Sequence, residues 1–198
     1  MEFISGLSEE EMYTRIIYCT TIEDVLKVEA LLKAHDIKVK PFHGKLPKDE
    51  KEEALKLWCD GTVRVVVATM AFGMGIDKAT VRWVLHYGIP RSMENLVQEM
   101  GRAGRDEKRS VCKIMYSPSD KAKIQSALHK DPASLERQGK CLQSVVDFCT
   151  RINECRHWQV CAYFADDEGK KRLRKACEMC DVCHKTVTSQ MKRLRHAN

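Results

Sequence analysis

The chain has 198 residues, 43% hydrophobic and 31% charged, which is ordinary for a soluble globular protein and leaves room for one domain plus an appendage. No apolar run approaches roughly 18 residues, which excludes a membrane-spanning helix, and the acidic opening MEFISGLSEEEMYTR argues against a secretory signal. A net charge of +6 permits a polyanionic partner without requiring one.

In chain order, Arg15 to Cys19 (RIIYC) reads as a strand. Thr20 stands three before Glu23, a capping-box pattern, and Val25, Val28, Leu31 and Leu32 recur at helical spacing, so Thr21 to His35 reads as an amphipathic helix. Ile37 to Phe42 is the next strand, with a turn at His43-Gly44. Lys48 to Cys59 is a helix with Ala54, Leu55 and Trp58 inward, stopped by Asp60-Gly61. Val63 to Thr69 is a third strand, and its run Val65 to Ala68 suits burial on both faces. The turn Gly73-Met74-Gly75 lets backbone approach something closely. Arg82 to Tyr87 is a fourth strand. After Pro90, Ser92 can cap a helix that carries Gln98, Arg102 and Arg105.

Val111 to Tyr116 is a fifth strand, and Ser117-Pro118 opens a helix to about Lys130. A helical segment from about Ala133 to Ile152 has Leu142, Val145, Val146 and Phe148 as its apolar residues, with Cys141 and Cys149 as packing residues. Thr186 to Asn198 reads as a disordered basic tail. Strands and helices alternating at short intervals predict an α/β fold with a parallel sheet flanked by helices. Ligands of such sheets sit beyond the carboxyl ends of the strands, where Thr69, His43 and Gly75 fall. The expected division is an α/β lobe at 1–130, a small helical subdomain at 131–185, whose zinc-binding character rests on its cysteines, and the tail at 186–198.

Two clusters carry chemistry. Arg102 and Arg105 lie three apart, so both guanidiniums should leave one side of the helix end, and a paired fork suits phosphate. On spacing alone, salt bridges to Glu99 or Asp106 are the plainer reading. The second cluster is cysteine. Seven of the ten cysteines lie between Cys141 and Cys183, and Cys177-x2-Cys180-x2-Cys183 places three thiols in one tight turn. Without a secretion signal, this favours metal over disulfides. Zinc wants four ligands; Cys155, Cys161 and His184 are the candidates for the fourth. A closed thiolate set leaves no position for substrate, so the metal would be structural.

The strings GMGIDK and QEMGRAGRD resemble motifs V and VI of superfamily 2 helicases, and AFGMGIDK…SMEN..QE.GRAGRD resembles the RecQ DNA helicases in particular. The resemblance implies that residues 1–130 are the second RecA-like lobe of an ATP-dependent, 3′-to-5′ DNA helicase. It implies Arg105 as the arginine finger and Arg102 as a γ-phosphate or coupling contact. Gly75, Asp77 and Gln98 would serve the nucleotide, Asp77 through the ribose or as a relay and Gln98 by orienting the arginines. Thr69, His43, Thr21, Arg91 and Ser92 would face DNA. The RecQ pattern of a Cys-Arg step upstream selects Cys155 as the fourth zinc ligand with Cys177, Cys180 and Cys183.

ATP and Mg²⁺ would be held with a first RecA-like lobe, in cis or in trans. No G-x-x-x-x-G-K-[ST] phosphate loop occurs: Gly44-Lys45, Gly139-Lys140 and Gly169-Lys170 all fail the pattern. The expectation is therefore half a motor plus its zinc platform, inactive alone, with no room after the zinc cluster for a winged-helix module. The alternative is a short non-catalytic module binding DNA or a partner. The basic run Lys170 to Lys175 reads as a phosphate patch or a nuclear-import signal, which would place the chain in the nucleus.

Overall fold

The computed structural model describes residues 14–73, 76–126, 132–172 and 176–184. Five parallel strands, β1 (Thr14–Cys19), β2 (Val39–Phe42), β3 (Val65–Ala68), β4 (Val81–Tyr87) and β5 (Val111–Met115), form one sheet in the order β2-β3-β1-β4-β5. β1 and β3 are buried at every residue, as their continuous apolar runs require when both faces are covered.

Alternation along each strand builds two cores. Ile17, Cys19, Val65 and Val67 point to α1 (Ile22–Lys33), where Val25, Val28 and Leu32 meet them. Ile16, Tyr18, Val66 and Ala68 point to the other face, against Trp58 of α2 (Lys48–Cys59) and against Phe72 and Ile76. Trp58 is fully buried, and its Nε1 donates to the Arg15 carbonyl at 3.4 Å. Lys78 stops α2, its Nζ donating to the Trp58 and Cys59 carbonyls at 2.6 and 3.0 Å.

The helices match the sequence reading with local corrections. The cap of α1 is Thr21, one residue later than the Thr20–Glu23 pattern suggests. Its hydroxyl accepts from the Asp24 N–H at 3.1 Å and donates to the Asp24 carboxylate at 2.8 Å. Leu31 faces outward, 46% exposed, since Val28 and Leu32 already fill the stripe toward the sheet. The helix α3 (Met93–Met100) is capped by Ser92, whose Oγ accepts from the Asn95 N–H at 3.2 Å. It ends at Gly101, so Arg102 and Arg105 stand in the turns beyond it and not on the helix as expected.

A third core joins the lobe to the helices of the cysteine-rich region. Ile89, Met93 and Leu96 pack with Ile124 of α4 (Pro118–Ser126) and with Leu142, Val145, Val146 and Phe148 of α5 (Pro132–Thr150). α6 (Arg156–Phe164) adds Val160 to this cluster, and α7 (Asp167–Arg172) comes next in the chain. Gly75, residues 127–131, residues 173–175 of the basic run and the 186–198 tail lie outside the described residues.

Candidate functional site

The carboxyl ends of the four successive strands bring together the residues expected to meet nucleic acid. Thr21 follows β1, His43 follows β2, Thr69 follows β3, and Arg91 and Ser92 follow β4. Thr69 is half-buried; its N–H donates to the Phe42 carbonyl at 3.0 Å and its Oγ1 accepts from the Ala71 N–H at 3.4 Å. His43 is 8% exposed and its Nδ1 has no partner among the described residues, while Arg91 is exposed. Thr21 and Ser92 already spend their hydroxyls as helix caps. Between the ends of β1 and β4, where the strand order reverses, a small cleft is lined by Thr20, Met70, Tyr87, Arg91 and Asn95. Gly88 in its wall has φ +95, and a Cβ there would stand 2.7 Å from the Thr20 hydroxyl, so this wall needs glycine.

The two motif arginines take different postures. Arg105 reaches the surface, its side chain 36% exposed; Nη1 donates to the Asp77 carboxylate at 2.6 Å and to the Ile76 carbonyl at 3.1 Å. Asp77 is 84% exposed at its side chain, so the pair lies open to solvent. Arg102 turns inward and is 7% exposed, which corrects the expectation of two guanidiniums on one side. The alternative salt-bridge partners are occupied elsewhere: Glu99 bonds His86 at 2.8 Å, and Asp106 pairs with Arg82. Gln98 is exposed on α3.

The cysteine site forms as one cluster. The sulfurs of Cys155, Cys177, Cys180 and Cys183 all lie within 4.8 Å of one another, the only such group among the described residues. The Cys155 and Cys180 sulfurs are 4.0 Å apart, near the ~3.8 Å edge of a tetrahedron with zinc–sulfur bonds of about 2.3 Å. The Cys180 N–H donates to the Cys177 sulfur and the Cys183 N–H to the Cys180 sulfur, each at 3.4 Å. Burial works to raise the Cys180 thiol, yet the Cys183 and Arg156 backbone N–H groups hold it below its ordinary value. Four thiols with amide donors aimed at sulfur fit a structural zinc ion. Cys161 lies on α6 and His184 is exposed, both outside the group.

Arg156, next to Cys155, is the residue to which the sequence motifs gave no role of its own. Its Nε and Nη2 donate to the two Asp181 carboxylate oxygens at 3.0 and 3.1 Å, and its Nη1 donates to the Phe148 carbonyl. It thus straps the zinc loop to α5. Gln159 closes the α5–α6 turn, its Nε2 donating to the Arg151 and Glu154 carbonyls at 3.0 and 2.8 Å. Tyr163 of α6 donates to Glu94 of α3 at 3.1 Å.

The Helicase conserved C-terminal domain family matches residues 1–107, and the RecQ zinc-binding family matches residues 118–184, the region that holds the four-sulfur cluster. The chain belongs to the RecQ helicase family. This RecQ chain is 38% identical over 169 residues to the ATP-dependent DNA helicase hus2/rqh1 of Schizosaccharomyces pombe, which covers 83% of the chain and 13% of that protein. It is 35% identical over 170 residues to the ATP-dependent DNA helicase RecQ of Pasteurella multocida, covering 85% of the chain and 26% of that protein. It therefore spans about an eighth to a quarter of the length of these relatives. Among solved structures, the DEAD-box protein SrmB of E. coli aligns with TM-score 0.55 at 22% identity, covering 65% of this chain and 77% of that one. Domain 2 of the Mss116p DEAD-box helicase aligns with TM-score 0.52 at 20% identity, covering 75% and 70%. These likenesses show the fold of a helicase C-terminal lobe.

Proposed function

We propose that this RecQ chain is the arginine-finger half of an ATP-dependent, 3′-to-5′ DNA helicase motor, with residues 1–130 as the lobe and 131–185 as its zinc platform. The observation that carries the reading is the Arg105–Asp77 pair, which sets motif VI against motif V on an open face of a lobe that has no phosphate loop of its own. Arg105 stands at the surface, 36% exposed at its side chain, with a solvent-exposed carboxylate as its partner, so it is free to exchange that partner for a phosphate oxygen presented from outside the lobe. Magnesium-bound ATP, held by a first lobe, would supply the free energy of hydrolysis. Arg105 would then leave Asp77 to stabilise charge on the phosphate oxygens, and Arg102 would contact the γ-phosphate. Gln98 would orient the arginines, and Asp77 would contact the ribose or relay the nucleotide state to DNA.

DNA is the polymer this reading assigns to the strand ends. Thr69, with Arg91 exposed nearby, would hold backbone phosphates without reading sequence. His43 and the capping residues Thr21 and Ser92 would shape that surface. The DNA-helicase names of the relatives support DNA over RNA as the partner, and the basic run beginning at Lys170 supports a nuclear address.

The test is ATP hydrolysis and strand unwinding by the chain with and without an added RecQ first lobe. DNA-stimulated turnover should need the first lobe and should fall at least about a hundredfold in Arg105→Ala. Robust turnover by the chain alone would refute the assignment.

A further inference from the structure

Arg102 has a seat of its own, built by residues that have no part in the proposed ATP or DNA contacts. Its guanidinium is buried, and its Nε has no hydrogen-bond partner among the described residues. Its Nη2 lies 2.8 Å from where a Cβ on Gly73 would stand, so the fork can rest on the Phe72–Gly73 backbone only because residue 73 has no side chain. Tyr18 meets the same turn. Its hydroxyl donates to the Phe72 carbonyl at 2.9 Å, one residue before the Gly73 against which Arg102 rests, which leaves oxygen lone pairs for the neighbouring guanidinium.

The tyrosine is itself fixed. Its ring stacks on His86, with centroids 5.5 Å apart and planes at 22°, and the Nε2 of His86 meets the Glu99 carboxylate at 2.8 Å. All three side chains are nearly sealed from water: Tyr18 is 4% exposed, His86 2% and Glu99 8%.

We propose that Tyr18, together with Gly73, is a positioning residue for Arg102, holding the guanidinium inside the lobe until the motor closes. This rests on the γ-phosphate role proposed for Arg102. The seat is shallow by construction, because a buried N–H without an acceptor favours any conformation that finds one. It is also wired to the DNA side. Phe72 and Gly73 end the short turn that begins at Thr69, and the Phe72 N–H donates to the Thr69 carbonyl at 3.0 Å. A strand gripped at Thr69 that shifts this turn moves both the wall under Arg102 and the carbonyl that aims the Tyr18 hydroxyl.

Two variants test the seat. Tyr18→Phe keeps the stacked ring and removes the hydroxyl; Gly73→Ala pushes on the flexible tip of Arg102. The first readout needs no nucleotide: the arginine Nε–H resonances of the 198-residue zinc-loaded chain, with Arg102 identified by its loss in Arg102→Lys. The expected result is an Arg102 Nε–H that exchanges with water slowly compared with that of exposed Arg91. Each variant should shift it, and Tyr18→Phe should speed its exchange by about tenfold, the worth of one hydrogen bond, while both still melt cooperatively. An unchanged resonance in both variants overturns the proposal.

The second readout is ATP turnover with the first lobe added. Tyr18→Phe should lower kcat by about three- to tenfold in the native background and cause no further loss in Arg102→Lys. Independent, multiplying losses would show that Tyr18 does not act through Arg102 and would also overturn the proposal. If Arg102→Lys itself leaves turnover intact, the phosphate role falls, and the resonances still decide whether the seat exists.

Discussion

Replacing Arg156 should loosen the zinc site without touching a ligand. The side chain makes a two-pronged contact to Asp181, a bond to the Phe148 carbonyl, and a cation–π contact with the Phe148 ring at 5.3 Å. Asp181 is 53% exposed at its side chain, so the fork is discounted to about 0.5–1 kcal/mol. The bond to the half-buried carbonyl contributes about 1 kcal/mol, and the ring contact about 0.5–1 kcal/mol. The sum, about 2–3 kcal/mol, is borne by the junction between the zinc loop and α5. If it falls wholly on the metal-bound state, Arg156→Ala weakens zinc binding by about 30- to 150-fold, close to what loss of a residue supporting metal ligands usually costs. Arg156→Lys keeps the charge but loses the fork, and should fall between. Competition against a chromophoric chelator measures the constants directly. A zinc affinity for Arg156→Ala within twofold of the native chain would refute the strap.

The freshly purified, reduced chain should carry one zinc ion, and Cys155→Ala should abolish it where Cys161→Ala does not; metal analysis reads both. Trp58→Ala removes a fully buried ring between sheet and helix and should cost about 3–5 kcal/mol in denaturant unfolding. Glu99→Ala leaves His86, whose Nδ1 already lacks a partner, with no acceptor or donor at either ring nitrogen, and should cost about 1–3 kcal/mol by the same measurement. Burial, aided by Asp24, pushes the Cys19 thiol up to about 12, so native protein at pH 8 should resist alkylation at Cys19 while exposed Cys59 reacts. Raising the pH through the range of an unfolded thiol then favours the unfolded chain, because that state ionises first.

The sheet was legible because its signal is carried by composition. A β-branched run such as Val65 to Ala68 favours a strand covered on both faces, and Lys48 to Cys59 ends in the structure where its Asp60-Gly61 neighbours suggest. The cysteine spacing pointed to three members of the four-sulfur cluster, and the Cys-Arg step that points to Cys155 includes the strap as well. The postures of Arg102 and Arg105 were not legible. Residues three apart share a side only while the helix lasts, and Gly101 ends it. Nor does any periodicity pair Tyr18 with His86 and Glu99, since these meet through sheet register and a helix return over long sequence separations. The capping offset at Thr20 and Thr21 has a local cause: the Thr20 hydroxyl is drawn toward the Ile89 carbonyl across the cleft, and its neighbour takes the cap.

The third apolar cluster has a practical side. Met93 and Leu96 on α3 and Ile124 on α4 are sealed by Leu142 and Val145 of α5, so the α/β lobe and the helix that leads to the cysteines share one continuous apolar core. A recombinant product trimmed near position 130 would bare a greasy stripe and should precipitate or clump. Lengthening it past α5 should restore a well-behaved monodisperse sample even when the metal-binding loop is left out.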